Sequence, residues 1–154
     1  MTRGIAKSAS AAVLKQVVTL FGVVCTAIAL AHVAFGPQVI VGSIPVNATM
    51  DSEDRFYATL FLGFGLALIW CSRDLTQRSR LFAALLIVFF AGGMARLISV
   101  AAVGWPHDLF VVLGALELSL PPLLWWWHVK MLPIYETRPL PIDLKRGKGT
   151  NDRD

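Results

Sequence analysis

The chain has 154 residues, of which 56% are hydrophobic and only 16% charged, and its formal net charge is +4. With a mean hydropathy of +0.64, this balance excludes a water-soluble domain of ordinary composition. Two cysteines, Cys25 midway along one apolar run and Cys71 at the end of another, do not make a disulfide scaffold; they read as small buried or lipid-facing residues.

Residues 1–16 carry Arg3, Lys7 and Lys15 and read as a cytoplasmic N-terminal segment. The first predicted span covers 17–35 and stops at Gly36-Pro37. A cleaved signal peptide is the competing reading, because small residues in Ala31-His32-Val33-Ala34 follow a basic start. The run from Val17 to Phe35 is longer than the ~7–15 residues of a signal core, which favours an uncleaved helix.

The polar run Asp51-Ser52-Glu53-Asp54-Arg55 opens a second predicted span, 56–71, which is short for a hydrocarbon core of ~30 Å. Asn47-Ala48-Thr49 just before it fits a glycosylation acceptor pattern. The third span is 81–103, closed by Gly104-Trp105-Pro106, and the fourth is 109–129, with Pro121-Pro122 inside it. Each proline lacks an N–H, so the carbonyls of Glu117 and Leu118 lose their helical partners and a kink is expected there, with Ser119 and Ser99 as candidate donors to those carbonyls.

Trp125-Trp126-Trp127, followed by His128 and Lys130, reads as an interfacial anchor. From residue 131 the chain becomes a basic, Pro-containing tail, expected to be disordered and cytoplasmic. Its charge suits anionic lipid headgroups, and no aromatic interleaving points to nucleic acid.

Lys and Arg gather before the first span, between the second and third, and after the fourth. The other two connections hold a single basic residue, Arg55, between them. That asymmetry predicts an all-α, four-transmembrane-helix bundle with N and C termini cytoplasmic.

Arg96 and Glu117 are the charged side chains deep within these runs. At 1.5 Å of rise per residue, Arg96 lies ~10 Å and Glu117 ~12 Å below the same extracytoplasmic boundary, so the two can meet as an ion pair. A bidentate pair would be a structural clamp between the third and fourth helices. Alternatively the pair lines an outward-open cavity and receives a lipid-like or quinone-like molecule, and His32, Glu53, Arg55 and Ser99 are the further members such a cluster could draw on. The inner half of the bundle, by contrast, reads as almost wholly apolar. Small residues at Gly63, Gly65 and Ala91-Gly92-Gly93 with Ala95 suggest close helix packing.

Three histidines, His32, His107 and His128, lack any metal-ligand spacing, and no nucleotide, phosphate-loop or haem motif is present. No metal or cofactor is therefore predicted.

Glu53-Asp54-Arg55-Phe56-Tyr57, Arg96-Leu97-Ile98-Ser99 with Gly104-Trp105-Pro106, and Glu117 together make the stretch from Glu53 to about His128 resemble a family of small bacterial four-helix membrane proteins of unknown function. The resemblance implies four spans and singles out Arg55, Arg96 and Glu117, without implying an activity. More remotely the layout is similar to DoxX-type four-helix membrane proteins, some of which are tied to quinone or thiol redox chemistry. The expected role is non-enzymatic binding of a small amphiphile. A structural or accessory subunit of a larger membrane complex is the first alternative, and a membrane oxidoreductase or proton-coupled carrier the second; the expected partners are membrane lipids and a membrane protein or, as a homo-oligomer, a second copy of the chain.

Overall fold

The computed structural model describes the backbone of residues 2–136 and the side chains of 9–131. Four helices follow one another: α1 (Thr2–Phe35), α2 (Ala48–Ser72), α3 (Ser79–Val103) and α4 (Asp108–Glu136), with a 3-10 turn at Gly36–Val39 after α1. All four are long and apolar enough to cross a membrane. The large apolar side chains that face outward, Val103 at 87% exposure and Ile87 at 68% among them, are at home in lipid rather than water.

The helices start earlier than the hydropathy of the chain suggests. α1 begins at Thr2 rather than Val17, so the basic N-terminal segment is a continuation of the first helix. α2 begins at Ala48 rather than Phe56 because Asn47 caps it: the Asn47 side chain accepts the backbone N–H of Met50 at 2.9 Å. The polar run 51–55 therefore lies in the first two turns of a helix, with Asp51 in the first. α4 runs unbroken across Pro121-Pro122 and on to Glu136. The rest of the predicted tail, 137–154, lies outside the described residues.

α1 packs chiefly on α2 and α3 on α4, and the two hairpins meet through α1–α4 and α2–α3. The closest approach is between α1 and α2, where a Cβ on Gly65 would stand 2.5 Å from Thr26 Oγ1 and 2.8 Å from Thr26 N. A Cβ on Gly22 would meet the Gly65 carbonyl oxygen at 2.8 Å, so only glycine lets the backbones come together here. Gly93 takes the same part between α3 and α4, against Leu118 and Glu117, whereas Gly63 and Gly92 face open space.

Packing is uneven along the bundle axis. The buried core, with Leu14, Val18, Leu68, Phe82, Leu86 and Leu124 at its centre, fills the end that holds the α2–α3 connection and the start of α1. Phe21, Phe64 and Phe89 cross the middle, with Phe21 and Phe89 rings edge to face at 4.8 Å. Toward the other, distal end, which holds the α1–α2 and α3–α4 connections, no residue from Met94 to Leu120 is buried.

Candidate functional site

Arg96 on α3 and Glu117 on α4 come together in that loosely packed distal half. Arg96 Nε donates to Glu117 Oε2 at 2.6 Å, with the Glu117 side chain 12% exposed and the Arg96 side chain 42% exposed. Gly93 makes the pair fit, since a Cβ there would press to 3.0 Å on the Glu117 Cβ. The contact uses only one guanidinium nitrogen. Both Nη groups of Arg96 have no acceptor among the described residues, and the Phe110 ring lies 5.7 Å from Cζ. A monodentate pair leaves four N–H donors at membrane depth, where each needs an acceptor.

His32, Asp51, Asp54 and Arg55 form a separate set on the α1–α2 hairpin. His32 Nδ1 lies 3.1 Å from both carboxylate oxygens of Asp54. Arg55 is taken up by structure: its Nε donates to Asp51 Oδ2 at 2.8 Å and its Nη1 to the carbonyls of Val33 at 2.5 Å and Ala34 at 3.3 Å. These are orphan carbonyls at the C-terminus of α1, so Arg55 acts as a cap supplied by the next helix. Gly36, at φ 66°, gives the pair room, because a Cβ would sit 2.5 Å from Asp51 Oδ1 and 2.9 Å from Arg55 Nη2.

The structure thus brings neither His32 nor Arg55 to the Arg96–Glu117 pair. Glu53 and Ser99 are exposed, and neither side chain has a hydrogen-bond partner among the described residues. Ser119 Oγ donates to Ala115 O at 2.7 Å rather than serving the carbonyls that Pro121 and Pro122 release. Pro121 is buried and Pro122 exposed, so the dipeptide faces the bundle with one ring and the lipid with the other.

At the opposite end the interior is almost wholly apolar, as expected, and Ser72 and His128 are the buried polar residues among those described. His128 is 1% exposed, with Nε2 2.9 Å from Ser79 Oγ and its ring edge to face with Phe82. Thr19 Oγ1 donates to Ser72 Oγ at 2.8 Å, and Ser72 in turn donates to Ile69 O. Trp127 Nε1 donates to Ser10 Oγ at 3.0 Å. Trp127 is thus a strut between α4 and α1, while Trp125 and Trp126 are outward-facing, Trp126 with the Lys130 ammonium 3.6 Å over its ring. Cys25 and Cys71 are both buried and free.

A family model for a domain of unknown function, DUF4345, matches residues 13–128. The chain belongs to the DUF4345 family. The match takes in α1 from Val13 onward, the whole of α2 and α3, and α4 as far as His128, so Arg96, Glu117, His32 and Asp54 all lie inside the family domain. No curated protein and no solved structure matches the chain. The DUF4345 domain is accordingly a four-helix, membrane-span-capable unit of unknown activity.

Proposed function

We propose that this DUF4345 chain is a multi-pass protein of a bacterial inner membrane, with both termini cytoplasmic and the distal end outward, that binds a small lipid-like or quinone-like molecule at Arg96 and Glu117 without catalysing a reaction. The observation that carries the reading is the half-used guanidinium of Arg96. A structural clamp would spend both nitrogen faces on the carboxylate, as a bidentate fork does, and would be shielded. Here one N–H holds Glu117, and the Nη donors, beside the Phe110 ring, have no acceptor among the described residues on a stretch of α3 and α4 that buries no residue between Met94 and Leu120. Because Glu117 neutralises the guanidinium, an uncharged acceptor such as a carbonyl or hydroxyl oxygen fits better than a bare anion.

A second reading rests on a different observation. Gly92, with Ala91 and Ala95 on the same exposed stretch of α3, faces open space and would admit another helix at close range. On that reading the chain is a structural subunit of a larger membrane complex. Purification in mild detergent separates the two. A small amphiphile recovered from the wild-type protein and lost from Arg96→Gln supports binding at the pair. Co-eluting polypeptides with no such molecule support the subunit reading and overturn the binding one.

A further inference from the structure

The His32–Asp54 pair is left over once the distal half has been accounted for. It does not touch Arg96 or Glu117, and the capping of α1 is carried out by Arg55 and Asp51. His32 lies three residues before the end of α1 at Phe35, about 4–5 Å of helical rise from the boundary, which is headgroup depth rather than mid-bilayer.

Asp54 holds the ring in one orientation. Both its oxygens lie 3.1 Å from Nδ1, so the Nδ1 proton points to the carboxylate. In the neutral ring this leaves a lone pair on Nε2 as an oriented acceptor. Nε2 has no partner among the described residues, although the side chain is only 22% exposed. The local charge is negative: Asp51 and Arg55 cancel, while Asp54 and the exposed Glu53 do not. An oriented acceptor nitrogen, backed by negative charge at headgroup depth, suits a cation that carries N–H donors.

We infer that the His32–Asp54 pair is a second binding site, distinct from the Arg96–Glu117 pair, that takes the primary ammonium of an ethanolamine-type lipid headgroup, with one ammonium N–H donated to His32 Nε2 and the charge offset by Asp54. The site distinguishes a primary from a quaternary ammonium: both carry the same charge, but a choline group has no N–H to give. The acyl chains of the lipid lie along the apolar outer faces of α1 and α2.

The test uses the full chain in detergent micelles supplied with lipids of identical acyl chains and ethanolamine, choline or glycerol headgroups, with retention read by native mass spectrometry. The wild-type protein should retain the ethanolamine lipid about tenfold better than the choline lipid, the size of one charge-assisted hydrogen bond. His32→Phe should abolish that preference. Asp54→Asn, which keeps an oxygen for the Nδ1 proton and so preserves the ring orientation, should reduce it by weakening the charge. Ser99→Ala should leave it unchanged, and far-ultraviolet circular dichroism confirms that each variant is folded. Equal retention of the ethanolamine and choline lipids by the wild type would overturn the inference, as would a preference that survives His32→Phe. Preference for the glycerol headgroup would show a protonated ring that binds anions, and would overturn it too. If glycerophosphoethanolamine without acyl chains competes as well as the intact lipid at equal concentration, the assignment to a lipid fails.

Discussion

Truncating Arg96 and Glu117 separately and together should give losses of different size. The Glu117 carboxylate is 12% exposed, and the Arg96 side chain is 42% exposed. Arg96→Ala strands a nearly buried carboxylate in an apolar bundle, and breaking a buried pair from one side costs ~3–5 kcal/mol; partial exposure of the arginine reduces this to about 2–3 kcal/mol. Glu117→Ala leaves a guanidinium on a long, flexible stem that can turn outward to the interface, so its cost is smaller, about 1–2 kcal/mol. The double variant removes both charges and should lose less than the sum of the two, with a coupling energy of about 1–2 kcal/mol. Reversible unfolding by sodium dodecyl sulfate in mixed micelles, followed by circular dichroism, measures all three. Strictly additive losses would refute the pair, and a larger loss for Glu117→Ala than for Arg96→Ala would refute the burial argument.

Gly65→Ala should destabilise by about 1–3 kcal/mol in the same assay, because its Cβ meets the Thr26 backbone N at 2.8 Å and backbone cannot move aside; Gly63→Ala, facing open space, serves as the contrast and should be neutral. Arg55→Lys keeps the charge but cannot pair with Asp51 and reach the Val33 and Ala34 carbonyls together, so limited proteolysis should cut the 40–47 connection faster than in the wild type. His128→Ala should cost about 2–3 kcal/mol through the cavity it opens and the lost Nε2–Ser79 Oγ hydrogen bond, whereas His128→Leu, which fills the cavity and loses only that bond, should cost about 1 kcal/mol, since Nδ1 of the buried ring has no partner to lose.

The four-helix architecture was legible in the sequence because apolar length is a long-range property that no single residue can disguise. Helix boundaries were less so. Hydropathy marks where lipid contact ends, not where hydrogen bonding ends, and it therefore missed both the N-terminal extension of α1 and the Asn47 cap of α2. The meeting of Arg96 and Glu117 followed from counting residues back from two helix ends, since 1.5 Å per residue fixes depth well. Azimuth is harder to count. His32 and Arg55 lie in the same half of the bundle, but they project into the α1–α2 seam, where Asp54, Asp51 and the α1 carbonyls were already waiting. Ser119 turned back on its own helix for the same reason, as a hydroxyl four residues from a carbonyl finds it first. The buried His128 was hidden behind its tryptophan neighbours, whose interfacial signature masked the fact that alternate faces of that turn point inward.

The nitrogen resonances of Arg96 in lipid nanodiscs bear most directly on the central claim, that this guanidinium holds Glu117 with one nitrogen and keeps the others for a ligand. With 15N-labelled arginine and Arg96→Lys used for assignment, titration with a lipid extract of the source membranes should shift the Nη signals of Arg96 and leave its Nε signal in place. Nη signals that stay unmoved through the titration, or that prove to be hydrogen-bonded to the Glu117 carboxylate before any lipid is added, would contradict it.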